Sequence, residues 1–405
     1  MASDLFESSP APAAAAAPSA LCPRWPPAER QAALVLATIT GIGPKRFWDL
    51  VEAFGSPSAA LRAPAVRWRA VVGTGDDIPS PALREEIDPA KVLAEAERGG
   101  AGYLVAGDPA YPPLLLQVPD PPPVLYVAGD PAALSGPAVA MVGTRKATPY
   151  GLGVARLLSR DLAGAGFVII SGLARGIDTA AHRGALDAGG RTVAVLASGP
   201  DITYPPENRN LRADILERGG AVVSLDPPGT PPDAFRFPAR NRVISGLSLG
   251  VVVVEAPAVS GALLTAKFAV EQNREVMAVP GLAGSRSAEG CHALIREGAT
   301  LVTGAGEVIE ALPDWTGNGV ALAPDAELWQ PQAAELPVLA ALADGPAYPD
   351  QVVRRTALPS RVVAAILARW ELDGKVIRLT DGRYFRLHPV CKAGSLKGSP
   401  DGQYQ

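Results

Sequence analysis

The sequence predicts an α/β protein: a doubly wound, Rossmann-like parallel sheet, with a small helical N-terminal module and a C-terminal winged-helix domain. Three observations predict it. In the middle of the 405-residue chain, seven short β-branched runs alternate with amphipathic stretches of helix length. Those runs are continuously apolar, as in parallel strands covered on both faces. Near the C-terminus, three helical patterns are followed by two short strands around an Asp-Gly turn, which is a strong hairpin signal. Hydrophobic residues make up 48% and charged residues 19% of the chain, a globular balance that excludes wholesale disorder.

The elements follow in order. Residues 1–28 are mostly Ala, Pro and Ser, and read as a disordered tail. Residues 29–100 read as a small helical module. Ala33, Leu34, Leu36, Ala37 and Ile39 precede Gly41-Ile42-Gly43-Pro44-Lys45, and Phe47, Trp48, Leu50, Val51 and Phe54 mark a second helix. A plain αα-turn is the preferred reading; the alternative is a helix-hairpin-helix (or SAM-like) unit, whose backbone amides can meet a phosphate. Residues 101–137 are rich in proline and read as an extended crossover. Residues 138–312 form the Rossmann-like domain, with strands at 139–142, 168–170, 193–196, 222–223, 251–254, 276–279 and 301–302. Helices are expected between them at 152–162, 179–188, 211–218 and 263–272. Residues 313–334 read as a linker. Residues 335–388 read as the winged helix, with helices at 336–342, 349–355 and 359–372 and a hairpin turning at Thr380-Asp381-Gly382. A second disordered tail is expected over 389–405.

Composition narrows the function. No apolar run approaches the roughly 20 residues that span a bilayer, and the Ala-rich start lacks the basic stretch of a secretory signal. A cytoplasmic protein without membrane contact is expected. Cys22, Cys291 and Cys391, and His182, His292 and His388, lie far apart without metal-ligand spacing, so neither a disulfide framework nor a metal site is expected, and no cofactor. The net charge of −4 would not steer a polyanion. The charge is uneven, however: −5 over residues 1–137, +1 over 138–312, −3 over 313–334 and +3 over 335–405. Any phosphate-binding surface must therefore be a local cluster.

Ligands of open parallel sheets bind beyond the carboxyl ends of the strands, so the loops there carry the candidate chemistry. Gly143-Thr144-Arg145-Lys146 follows the first strand. Ser171-Gly172-Leu173-Ala174-Arg175-Gly176-Ile177-Asp178 follows the second. Phe237-Pro238-Ala239-Arg240-Asn241-Arg242 opens the helix before the fifth strand, and Ser260-Gly261-Ala262-Leu263-Leu264-Thr265-Ala266-Lys267 follows that strand. Glycines allow close backbone approach, amides at helix starts face anions, and Arg145, Arg175, Arg240, Arg242 and Lys267 can neutralise phosphates. Turn-forming alone explains each glycine, but not basic residues recurring in four loops on one edge. This reading supports a polyanion without distinguishing DNA from a nucleotide.

Other constellations are weaker. Gly151-Leu152-Gly153 lacks the third glycine of a dinucleotide fingerprint and lies inside a predicted helix. There is no Walker A sequence. Asp178 and His182 share a helix face and could act as an acid/base pair, but an N-cap and a packing histidine are the more usual roles. Glu255 at a strand end could be a catalytic carboxylate or a partner for a nearby arginine, and pairing is the preferred reading.

Taken together, Val142-Gly143-Thr144-Arg145, the Ser171-to-Asp178 loop with Ala181-His182, Tyr204-Pro205-x-x-Asn208, Phe237-Pro238-x-Arg240-Asn241-Arg242-x-Ile244, Glu255-Ala256, Ser260-Gly261-x-Leu263-x-Thr265-Ala266 and Val279-Pro280-Gly281 resemble the DprA/Smf family, the DNA-processing protein A of natural transformation. The resemblance covers about residues 100–312. It implies a non-enzymatic, homodimeric protein that binds and shields incoming single-stranded DNA and helps load RecA recombinase. It also implies DNA contacts at Arg145, Ser171, Gly172, Arg175, Arg240, Asn241, Arg242 and Lys267, a base-stacking platform at Phe237 and a polar contact at Asn208. One departure is visible: Ser224-Leu225-Asp226-Pro227-Pro228 stands where the family usually shows Ser-Glu-x-Pro, which displaces a carboxylate. The rival is a phosphoribohydrolase-type nucleotide-processing enzyme, which needs a Pro-Gly-Gly loop that this chain lacks. A second rival, a duplex-reading regulator, has few base-reading side chains around Arg361 and Arg369.

Overall fold

The computed structural model describes residues 25–73, 87–312, 332–342, 346–372, 375–378 and 382–386. Of the tail expected over 1–28, residues 1–24 lie outside the described residues, but Trp25 is buried and a helix begins at Pro27, so the end of that segment belongs to the helical module. The tail expected over 389–405 and residues 313–331 of the linker lie outside the described residues. The chain divides into two compact units, Met1–Val320 and Ala321–Gln405.

The first unit opens with helices α1 (Pro27–Thr38), α2 (Pro44–Phe54), α3 (Pro57–Arg62), α4 (Ala65–Val72) and α5 (Pro89–Ala96). Proline stands at the start of four of them, where its missing N–H costs nothing. Gly55 ends α2 with φ +85°, a left-handed cap that other residues adopt only with strain. Leu34, Leu36, Phe47, Leu50 and Trp68 are fully buried between these helices.

A nine-stranded sheet follows: β1 (Gly102–Val105), β2 (Val124–Gly129), β3 (Ala138–Val142), β4 (Val168–Ser171), β5 (Thr192–Leu196), β6 (Ala221–Ser224), β7 (Gly250–Val253), β8 (Glu275–Ala278) and β9 (Thr300–Leu301), in the order β1-β2-β6-β5-β4-β3-β7-β8-β9. The seven strands from β3 onward are parallel. Helices α6 (Pro113–Leu116), α7 (Pro149–Gly164), α8 (Ile177–Asp187), α9 (Arg209–Glu217), α10 (Arg236–Gly246), α11 (Gly261–Glu271) and α12 (Glu289–Arg296) connect the strands, and α13 (Ala305–Ala311) follows the last of them. Every residue of β3, β4, β5, β6 and β7 is buried, which is why these strands carry no polar alternation.

One further expectation needs correction. The segment 101–137 is not an extended crossover: it supplies β1 and β2, and β2 pairs antiparallel with β1 on one side and β6 on the other, so the sheet is mixed. The prolines occupy the connection between the two strands, while Val124-Leu125-Tyr126-Val127-Ala128 is buried and pairs through its backbone. This segment also bonds to the helical module, since Trp48 Nε1 donates to Pro121 O at 2.7 Å and Arg30 pairs with Asp108 at 2.7 Å.

The second unit has α14 (Leu336–Ala341), α15 (Pro349–Thr356), α16 (Ser360–Leu372) and the antiparallel pair β10 (Val376–Arg378) and β11 (Tyr384–Arg386). Val338, Val352, Val363, Leu367 and Trp370 form its core. Gly382 takes φ +87° just before β11, while Thr380 and Asp381 of the expected turn lie outside the described residues. Of the two arginines on α16, Arg369 is paired with Glu335 and Arg361 is exposed.

Candidate nucleic-acid interface

Strand β3 lies between β4 and β7, so the winding of the sheet reverses there, and a ligand crevice is expected beyond the carboxyl ends of β3 and β7. A crevice of about 360 Å³ occupies that place, lined by Gly143, Thr144, Arg145 and Lys146 after β3, Phe237, Arg240 and Asn241 on α10, and Ser260 and Gly261 at the start of α11. A shallow extension shares Arg145, Phe237 and Arg240 and adds Gly172, Arg175 and Tyr204. A larger hollow of about 520 Å³ sits at the start of β8, but Glu275 and Glu297 outnumber Arg274 there, so it does not suit an anion.

The loops are set by contacts distant in sequence. Thr144 N–H donates to Glu255 O at 2.7 Å, and a Cβ on Gly143 would come within 2.5 Å of Ile177. After β4, the Asp178 carboxylate accepts the N–H groups of Gly172 (3.1 Å) and Ala174 (3.3 Å). Leu173 between them takes φ +56°, and its N–H donates to His182 Nε2 at 3.3 Å. Thr192 Oγ1 donates to Ile169 O at 2.6 Å and accepts from His182 Nδ1 at 2.7 Å. The imidazole is therefore neutral with its proton on Nδ1, and burial pulls its pKa from 6.5 down to about 3. Asn208 clamps the same loop by donating to Leu173 O (2.8 Å) and Thr179 Oγ1 (2.9 Å).

Charge then concentrates on one ring. The Arg145 guanidinium lies 5.0 Å and that of Arg240 5.5 Å from the centre of Phe237, within cation–π range. Arg240 is only 6% exposed, its Nε has no hydrogen-bond partner among the described residues, and its Nη1 is 4.0 Å from Asp178 Oδ2. Burial, reinforced by the nearby Arg145 charge, pulls its pKa from 12.5 down to about 10, against the opposing pull of Asp178. Burial likewise raises the Asp178 carboxyl above its usual range, offset in part by Arg240 and the loop amides. Around the crevice, three cations (Arg145, Lys146 and Arg240) face one carboxylate. An anion entering here offsets a repulsion that the chain itself leaves uncompensated.

The structure brings together Arg145, Gly172, Arg175, Phe237, Arg240 and Asn241. The other candidates are placed differently. Ser171 is fully buried and donates to Met141 O at 2.7 Å, and Asn208 is 4% exposed and spent on its loop clamp, so both position the loops rather than face the crevice. Arg242 turns to Pro119 O (2.9 Å) and Glu271 (3.4 Å). Lys267 is exposed on α11 outside the crevice lining. Lys146 lines the crevice and Tyr204 its extension as well, and both stand in loops that the sequence marks. Asp178 is not the expected N-cap: Gly176 holds that position, and the carboxylate reaches back to the preceding loop. Glu255 does not pair with an arginine; it accepts the N–H (2.9 Å) and hydroxyl (2.6 Å) of Thr148 at the start of α7. The displaced Asp226 pairs with Arg236, whose guanidinium lies over Phe235.

The description "DNA recombination-mediator protein A" belongs to a family model that matches residues 102–313, and a DprA winged helix model matches residues 322–382. The chain belongs to the DNA recombination-mediator protein A family. Protein Smf of Synechocystis sp. is 35% identical over 389 residues, covering 87% of this chain and 98% of the relative. Protein Smf of Escherichia coli is 43% identical over 289 residues, covering 69% and 76%. The solved DNA processing protein A of Streptococcus pneumoniae superposes with a TM-score of 0.60 at 34% identity, covering 69% of this chain and 96% of that one. Membership in this DNA-processing family agrees with the doubly wound sheet and the C-terminal winged helix. Among the described residues, no helix is long and apolar enough to cross a membrane.

Proposed function

We propose that this chain binds single-stranded DNA in the crevice at the carboxyl ends of β3 and β7. Arg145, Lys146 and Arg240 meet phosphates there, and Phe237 lies under a base. The observation that carries this reading is the arrangement of Arg145 and Arg240 over Phe237. A polynucleotide offers both an anion and an aromatic face to such a cluster, and binding through backbone charge and stacking is indifferent to sequence. Arg175, exposed and paired with Glu207, lies along the same path, and Asn241 holds the rim by donating to Gly261 O at 3.2 Å. Ser171, Asn208, Asp178 and His182 hold the loops in shape.

The chain acts in this reading without catalysis. His182 is fully buried with both nitrogens engaged, and Asp178 is 5% exposed and bonded to loop amides, so neither is free to move a proton to a substrate. Shielding of incoming DNA, help in loading RecA recombinase during natural transformation, homodimerisation and a cytoplasmic location are proposed from family membership. Gel-shift and exonuclease-protection assays on a labelled single strand test the binding role. Wild type should retain and protect the strand, and the double variant Arg145→Ala/Phe237→Ala should do neither. Equal protection by that variant would overturn it.

A further inference from the structure

Tyr204 is an aromatic side chain left 43% exposed at the rim of the crevice. Its loop has little freedom to withdraw it. Pro205 and Pro206 restrict the backbone that follows, and Asn208 ties the segment to Leu173 O at 2.8 Å and Thr179 Oγ1 at 2.9 Å. The ring meets Phe237 edge-on, with centroids 6.4 Å apart and planes inclined at 65°. Arg145 and Arg175 line the same shallow crevice.

We infer that Tyr204 is a second base platform, and that Tyr204 and Phe237 together take two consecutive bases held apart from each other. This rests on the single-strand reading of the crevice and deepens it. Neighbouring bases in a duplex strand rise about 3.4 Å per step. Two rings 6.4 Å apart and inclined at 65° cannot both lie against such a stack, but each accepts one unstacked base. The ring pair therefore selects single strands over duplex through geometry, while remaining indifferent to base identity because every base has a π-face. Phosphates flanking the second base meet the Arg145 and Arg175 cations.

The test is fluorescence anisotropy on full-length protein with three probes of equal length: a single strand, its duplex, and a strand carrying abasic sugars throughout. Tyr204→Ala should weaken single-strand binding about tenfold or more. It should leave the abasic strand and the salt dependence nearly unchanged, and narrow the preference for single strand over duplex. Tyr204→Phe should retain wild-type affinity, since the ring and not the hydroxyl makes the platform. Wild-type affinity in Tyr204→Ala, with Arg145→Ala weakened, would overturn this inference alone. An equal loss on the intact and abasic strands would also overturn it, because the residue would then act on the backbone. Failure of the wild type to bind the single strand would overturn the underlying reading as well.

Discussion

Gly172 and Arg240 are fitted to each other: a Cβ on Gly172 would stand 1.4 Å from Arg240 Nη1. The glycine after β4 is the vacant space that a buried guanidinium on α10 fills, and the two residues are 68 positions apart. Gly172→Ala must therefore push Arg240 out of its place. The atoms it meets are the end of a flexible side chain, so the fold should lose little stability, while displacing a crevice cation should weaken single-stranded DNA binding. Thermal melting and anisotropy check both. Unchanged affinity would mean that Arg240 does not serve the crevice from that place.

Gly151 offers a case in which the usual sign reverses. Gly151 is the third residue of α7, and replacing a helical glycine by alanine normally stabilises, by about 0.5–1 kcal/mol in mid-helix. Here the new Cβ would come 2.4 Å from the Glu255 carboxyl, which caps Thr148. Gly151→Ala should destabilise, by roughly 1–3 kcal/mol in a denaturant titration. A stabilised variant would contradict the tight fit of Glu255 against α7.

His182 gives the fold a pH dependence. Its folded pKa, about 3, lies below the ordinary 6.5, so the unfolded chain binds the extra proton first. The stability linked to this group is complete above about pH 6.5. As the pH falls from there toward 3, it should be lost at a limiting slope of about 1.4 kcal/mol per unit. In His182→Gln that part of the slope should vanish, leaving the contribution of the carboxylates. Denaturant melts across pH 4 to 7 read the difference, and parallel curves for the two proteins would contradict it.

Arg145 and Lys267 were equivalent candidates by sequence and are not equivalent in place. Arg145 lines the crevice and Lys267 does not. Arg145→Ala should weaken single-strand binding by roughly 1–3 kcal/mol and flatten the salt dependence by about 0.7 in log–log slope per lost phosphate contact. Lys267→Ala should change affinity less. Both side chains are exposed, so melting temperatures should hold. A larger effect at Lys267 would place the strand along α11 instead.

The seven parallel strands were legible because central strands covered on both faces must be continuously apolar. The winged helix was legible because its three helices and Asp-Gly turn are local signals. Strands β1 and β2 were not, since the prolines between them dominated the composition of 101–137. At the site, the sequence identified the loops through their glycines and cations but could not separate residues that face the crevice from those that hold it. Ser171, Asn208, Asp178 and Arg242 have the chemistry of ligand contacts, yet each is bonded within the chain. Such commitments are tertiary, joining β4 to α10 or α8 to the loop after β4, and leave no trace in spacing. The fit of Gly172 to Arg240 is the clearest instance.

Anisotropy titration at two salt concentrations decides whether the crevice at the ends of β3 and β7 holds single-stranded DNA. Single-stranded, duplex and mononucleotide ligands are compared on the wild-type chain. The single strand should bind tightest, with affinity falling steeply as salt rises, and the mononucleotide should bind far more weakly. Duplex binding as tight as single-strand binding, or a mononucleotide that matches the strand, would contradict that reading.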